Sequence, residues 1–324
     1  MGIFARKSQL TRLDQTQAPA LAISTAKADR PVLTGGSIAS WWETLVVLFK
    51  LRIVVLLVFA AVGGAFLAAG GWPGWGQLAL VVLTGGLAAA GSSALNEYLE
   101  QETDNLMVRT RRRPLLTGAI SRSGWVPYLA GAMILLPSLA VWPFKPALTF
   151  FLLLGAVIYV GLYTIWLKPR TLLNIVIGGA AGSAAVLSGS AAVGLWYEPG
   201  AVVLALLLFL WTPTHFWSLA IAYRDDYARG QIPMLPVQTS LRAAVGWILV
   251  HTGATALAAL MLALHPALGW LYFVPVGLVT IDLVARNIRL LARPTKRQAF
   301  SFFKLSNLYL ALILLMICVD VMVV

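Results

Sequence analysis

Apolar runs of about 20 residues follow one another from position 44 to the C-terminus, and each is long enough to cross a hydrocarbon layer. Only 11% of the 324 residues are charged and 60% are hydrophobic, with a mean hydropathy of +0.84. That is more apolar side chain than the single core of a soluble domain can hide. The fold class is therefore all-α, a polytopic membrane protein. Nine spans are expected, at about 44–68, 76–99, 124–142, 147–166, 172–194, 199–221, 243–264, 267–285 and 303–323. The one cysteine, Cys318, falls inside the last run, which leaves no disulfide framework and no paired-cysteine metal site.

The basic residues orient the bundle. The chain has 24 lysines and arginines, and all except Lys145 fall in the N-terminal tail, in alternate loops or on their flanks. Segments such as "AGGWPGWG", "WYEPG" and "HPALG" carry none. The positive-inside rule then puts the N-terminus in the cytoplasm and, after nine spans, the C-terminus outside. The net charge of +12 is accounted for by this loop bias and calls for no nucleic acid partner. Residues 1–40 are polar, with no apolar run for a secretory signal, and read as a disordered cytoplasmic tail. Residues 41–324 form the transmembrane domain.

Against this apolar background, "NEYLEQETDNLMVRTRRRPLLTG" (96–118) packs four acids and four arginines together. Asn96, Glu100 and Asp104 are spaced i, i+4, i+8 and share one helical face, drifting about 40° per step; Glu97 and Glu102 point elsewhere. A charge in the hydrocarbon centre costs roughly 2.5–3.5 kcal/mol, so this face belongs against an interior cavity or the interface. Stacked carboxylate and amide oxygens suit Mg²⁺, which is usually held by one or two carboxylates while a substrate phosphate completes its shell. Arg109, Arg111, Arg112 and Arg113 follow, and guanidinium forks bind phosphate oxygens in pairs. Acids for a metal and arginines for phosphate make a diphosphate site. The bland alternative is a surface turn whose acids and arginines pair with each other.

A second station, "AYRDDYARGQIPMLP" (222–236), carries adjacent Asp225 and Asp226. Four spans separate it from the first, so both lie at one membrane face, and Lys168 and Arg170 join them there from the loop between spans four and five. Two acidic clusters on one side can grip metal ions about one diphosphate. His215, in "WTPTHFWSLA", lies ten residues before Asp225, roughly 15 Å deeper along a helix. Its aromatic surroundings, Trp217 among them, suit a flat conjugated ligand, although a histidine in a span is more often a packing residue.

At this point the residues resemble a known family. Asn96-x3-Glu100-x3-Asp104 followed by "NLMVRTRRRPL" is similar to the first aspartate-rich motif of the UbiA superfamily of intramembrane prenyltransferases. "YTIWLKPRTLLNIVIGGAAG" (163–182), "LWTPTHFWSLAIAYRDDYARGQIPMLPV" (210–237) and the C-terminal "KLSNLYLALILL" resemble its heme-farnesylating branch, in the right order over roughly residues 45–320. The resemblance implies nine helices around a central cavity, Mg²⁺ as cofactor, and transfer of a farnesyl group from farnesyl diphosphate to a vinyl group of heme B. It implies a metal held by Asn96, Glu100, Asp104, Asp225 and Asp226, a diphosphate held by Arg109, Arg113, Lys168 and Arg170, and heme near His215, Trp217, Lys50 and Arg52. It also implies a bacterial inner membrane and heme-pathway or oxidase-assembly partners. The chain departs from the family with "KLR" (50–52) in place of Lys-Pro-Arg and with "SAAVLSG" where a Pro-Pro pair is usual. Two rival functions stay open: prenylation of another aromatic acceptor, and secondary transport. Transport is disfavoured because transporters keep their functional charges near the midplane, and here they gather at one face.

Overall fold

A computed structural model describes residues 38–323, with side chains from residue 41. The tail expected at 1–40 lies outside the described residues, except that its last three positions begin the helix Ile38–Leu48. Among the described residues no strand occurs and nine helices are long and apolar enough to cross a membrane. These are Leu51–Ala69, Trp75–Leu99, Ser123–Val141, Pro146–Leu167, Asn174–Val193, Pro199–Ala222, Leu241–Leu262, Trp270–Ala292 and Lys296–Asp320, called spans one to nine below. Consecutive spans pack against one another, and span nine closes the ring against spans one and six.

The first apolar run is not one helix. It breaks between Ile38–Leu48 and Leu51–Ala69, where Lys50 adopts the left-handed conformation at φ 49°, ψ 46°. A β-carbon makes that region costly, so the packing around Lys50 must fix it. The break turns the Lys50 side chain back towards the end of span two.

Span four changes character half-way. Pro146–Ala156 is α-helical, and Val157–Leu167 is a π-helix whose wider turn is closed by Lys168 N–H donating to the Tyr163 carbonyl at 2.8 Å. Such segments are rare and occur most often at functional sites. Here the altered phase points Tyr159 and Thr164 at the end of span two and carries Lys168 to the same place.

At the opposite end of the bundle the few charges cap helices. Glu198 accepts from the Gly200 and Ala201 amides at 2.8 and 2.7 Å and pairs with His265 at 2.8 Å. Asp320 accepts from the Gly269 and Tyr272 amides at 2.5 and 2.9 Å. His265 is thus a half-buried partner of a capping acid and not a solvated loop residue.

Helix association in lipid relies on close backbone approach through small residues, and spans one and five meet this way. A β-carbon built on Gly189 would run into the Ala61 carbonyl oxygen. Gly189→Ala is expected to force the two spans apart and cost about 1–3 kcal/mol, the usual penalty of overpacking. Gly131→Ala in span three, where the added carbon meets nothing, serves as control. Thermal unfolding in detergent checks this: equal midpoints for the two variants would refute the close approach.

Candidate active site

Span two ends at Leu99, and the short helix Gln101–Leu106 continues from it after Glu100, whose backbone (φ −96°, ψ 9°) bends the axis. The hydrogen bonds carry across the bend, from Glu100 N–H to the Asn96 carbonyl at 3.1 Å and from Asp104 N–H to the Glu100 carbonyl at 2.8 Å. Asn96, Glu100 and Asp104 therefore stay in one column, and all three are buried, at 2%, 7% and 1% exposure.

Each member of the column faces one cation. The Lys50 ammonium donates to Asn96 Oδ1 and sits 3.3 Å from the Tyr159 hydroxyl. Lys168 pairs with Glu100 at 2.5 Å, and Arg113 pairs with Asp104. Asn96 Nδ2 donates to Thr164 Oγ1 at 2.9 Å, which fixes the amide so that its oxygen faces Lys50. The cations come from three places: the break before span one, the end of span four, and the arginine run after span two.

The fields of these groups shift one another. Burial, with Arg113 nearby, lowers the Lys50 ammonium to about 7. Burial raises Glu100, but the Lys168 and Lys50 charges outweigh it and hold its carboxyl below the usual range. Asp104 lies above its ordinary value because burial exceeds the pull of Arg113.

Glu97, which spacing alone points elsewhere, is also buried, at 1% exposure, and neither carboxylate oxygen makes a well-formed hydrogen bond. Pro114–Thr117 and Ile38–Leu48 pack on this end of span two, Leu115 and Leu48 clustering with Ala94, so more than one of its faces is covered. Glu102 is exposed, as its position suggests.

At the second station the two aspartates diverge. Asp226 is buried and accepts from the Val108 and Arg109 amides at 3.4 and 3.0 Å, while pairing with Arg229. It clamps the loop that follows the first station, so the two stations are one structure. Asp225 is exposed and pairs with Lys296 at 2.6 Å. The clamp sets the Arg109 guanidinium over the Tyr223 and Tyr227 rings, 5.6 and 5.9 Å from their centres. A cavity of about 380 Å³ opens here, lined by Arg109, Tyr223, Asp225, Asp226, Arg229 and Lys296 among others.

Of the other residues singled out above, Arg170 is exposed and caps its own helix, donating to the Ile165 and Trp166 carbonyls at 2.9 Å each. Arg52 is exposed, whereas Lys50 belongs to the first station. His215 is buried against Trp211 and Phe303. Trp217 lies on the other side of span six with its ring edge to His251. Tyr159 and Thr164 were not foreseen; their signal was a pair of polar groups in the otherwise apolar "YVGLYT".

Among the described residues no three acids, histidines or cysteines converge into a closed metal cage. The column offers one amide oxygen and two carboxylates, a partial shell of the kind Mg²⁺ takes when substrate phosphates supply the rest.

The chain that builds this column has known relatives. The UbiA prenyltransferase family matches residues 56–310. The chain belongs to the UbiA prenyltransferase family. It is similar to the protoheme IX farnesyltransferase of Metallosphaera sedula, with 40% identity over 271 residues covering 83% of this chain and 93% of the relative. It is also similar to protoheme IX farnesyltransferase 2 of Paramagnetospirillum magneticum, with 39% identity over 279 residues covering 86% of this chain and 96% of the relative. Among solved structures, a UbiA homologue from Aeropyrum pernix K1 superposes with a TM-score of 0.68 at 18% identity, over 83% of this chain and 98% of that one. A UbiA homologue from Archaeoglobus fulgidus, bound to GPP and Mg²⁺, gives 0.57 at 16% identity, over 85% and 99%. These two likenesses carry the fold.

Proposed function

We propose that this UbiA-family protein transfers the farnesyl group of farnesyl diphosphate to a vinyl group of heme B, with Mg²⁺ as cofactor. The relatives named protoheme IX farnesyltransferase support the substrates. The observation that carries the reading on this chain is the column of Asn96, Glu100 and Asp104, faced one-to-one by Lys50, Lys168 and Arg113. Asn96, Glu100 and Asp104 are the residues that would hold Mg²⁺. Bound there, the ion supplies Lewis-acid neutralisation of the leaving diphosphate.

The chain's own groups do the remainder. Lys50, Lys168 and Arg113 bind diphosphate oxygens, the guanidinium as a fork and the ammonium groups as point charges. Asp226 holds the 108–109 backbone, and with it Arg109, at the rim. The prenyl chain extends between apolar spans, where water is scarce, so the allylic cation left after the C–O bond breaks meets the heme vinyl group before it meets water. Water then adds to the product cation and leaves a hydroxyl-bearing farnesyl side chain.

The basic bias of one loop set supports a station at the cytoplasmic face, with the N-terminus inside, and we take the membrane to be a bacterial inner membrane. Both substrates are amphiphiles that reach the site from the bilayer. Heme-pathway or oxidase-assembly proteins are the partners that such a product needs.

Incubating purified protein with heme B, farnesyl diphosphate and Mg²⁺ tests this. Mass analysis is expected to show heme gaining one farnesyl group and one hydroxyl group, the second proton of the added water being released. Heme left unmodified while an aromatic acid is prenylated in its place would move the chain to another acceptor class.

A further inference from the structure

A ladder of aromatic rings descends from the polar-end cavity between spans six and nine. Tyr223, at the cavity rim, meets Phe300 edge-on at 6.2 Å, and Phe300 stacks on Phe303 at 5.9 Å. Phe303 and Trp211 then stack on His215, each with ring centres 4.4 Å away and with interplanar angles of 29° and 17°. Two rings so close to one imidazole occupy its opposite faces, so His215 is clamped and presents only its edge. It lies eight residues from Tyr223, about 12 Å deeper along span six.

The edge offers one nitrogen to a serine. His215 Nδ1 is 2.9 Å from Ser306 Oγ. Ser306 Oγ also lies 2.8 Å from the Phe303 carbonyl, which can only accept; with the hydroxyl hydrogen directed there, the same oxygen is an acceptor for the imidazole. In that arrangement the proton of the neutral ring sits on Nδ1, and Nε2 carries a lone pair. Trp211 Nε1 donates to the Ser306 carbonyl at 2.9 Å and locks the same three residues together. Among the described residues Nε2 has no hydrogen-bond partner, and it is not sealed in the interior as Nδ1 of His251 is. An imidazole with one nitrogen held by an acceptor and the other free is the form in which histidine binds metals.

We infer that His215 Nε2 coordinates the iron of the acceptor porphyrin and that Ser306 is the positioning residue that fixes its tautomer. This rests on heme being the acceptor. Because an axial imidazole stands across the porphyrin plane, the macrocycle lies along the edges of Trp211 and Phe303 and not upon their faces. Ligation would hold the heme at one height below the diphosphate station, which restricts the part of its rim that faces the farnesyl chain.

The test is titration of the full-length protein in detergent with ferric heme B and, separately, with metal-free protoporphyrin IX, followed by absorption spectra. Wild type is expected to prefer heme by tenfold or more and to show an iron–imidazole vibration in the ferrous state. His215→Ala should lose the preference and shift the heme band, and added imidazole should restore the band. Ser306→Ala keeps the ligand but frees its tautomer and should weaken heme binding by about 10-fold, the low end for such supporting partners. Pyrophosphate affinity should be unchanged in both variants, which shows that they are folded; if His215→Ala fails that control, Ser306→Ala and the wild-type vibration carry the test. A wild-type band and preference in His215→Ala, or no iron–imidazole vibration in wild type, would overturn the ligation and leave the acceptor reading intact. Failure of wild type to bind either porphyrin would instead remove heme as the acceptor.

Discussion

Asp104→Asn is expected to lower farnesyl transfer by about 10²–10³-fold, the range seen when one preorganised electrostatic group is removed from an active site. The substitution keeps size and most hydrogen bonding but deletes one negative charge from a residue that is 1% exposed and paired with Arg113. Two losses follow. A carboxylate ligand for the metal becomes a neutral amide oxygen, which a hard cation binds less well. Arg113 also loses its partner in the resting protein and is left as a partly buried, uncompensated charge. Raising Mg²⁺ should recover part of the activity, because weakened metal binding yields to mass action. Glu102→Gln is the control, since Glu102 is an exposed acid two residues away. Steady-state rates over a Mg²⁺ series decide it. Full activity in Asp104→Asn, or in wild type treated with chelator, would dismiss the metal–diphosphate role.

Glu102 replaces a control that helical spacing would have chosen. On a regular helix Glu97 points about 100° away from Asn96, so it reads as a bystander. Spacing shows direction but not what covers that direction. Pro114–Thr117 and Ile38–Leu48 pack on the end of span two, and Glu97 is buried along with the column. The nine spans were legible because each is a run of apolar residues that only a bilayer explains, and the column was legible because i, i+4, i+8 needs only the helix itself.

What the sequence concealed depends on tertiary contacts. Nothing in "VLFKLRIVV" marks Lys50 as left-handed, yet that break brings the Lys50 ammonium to Asn96 at the end of span two. The π-helix at Val157–Leu167 is as apolar as any α-helical span, so periodicity cannot flag it. Adjacent Asp225 and Asp226 look equivalent in sequence, and only the loop at 108–109 distinguishes the buried clamp from the exposed acid. Trp217 could have been separated from His215 in advance. Two residues on a helix are about 200° apart, so one helical face cannot present both to the same ligand.

Mg²⁺ alone is expected to bind the resting protein about 5- to 150-fold more weakly than it binds once pyrophosphate is present, the usual span of a coupling between two sites. In the resting column Glu100 and Asp104 already face Lys168 and Arg113, and the Asn96 oxygen faces Lys50. The two carboxylates are thus balanced even when Lys50 has lost its proton. A divalent ion arriving by itself must take these oxygens away from their cations and leave those cations unpaired in a poorly solvated site, a costly state. Arriving with diphosphate, it leaves the same cations phosphate oxygens to bind, so every charge keeps a partner. By linkage, Mg²⁺ must strengthen pyrophosphate binding by the same factor. Calorimetric titrations of Mg²⁺ with and without saturating pyrophosphate, corrected for the complex the two form in solution, measure this coupling. Lys168→Met sharpens the test because it acts on the two ligands in opposite directions. Freed from Lys168, Glu100 should bind Mg²⁺ alone more tightly than in wild type, while pyrophosphate, deprived of an ammonium group, should bind less tightly. Equal Mg²⁺ affinities with and without pyrophosphate, or a Lys168→Met variant that weakens both ligands alike, would show that the pairs are surface decoration and not a lock released by the substrate.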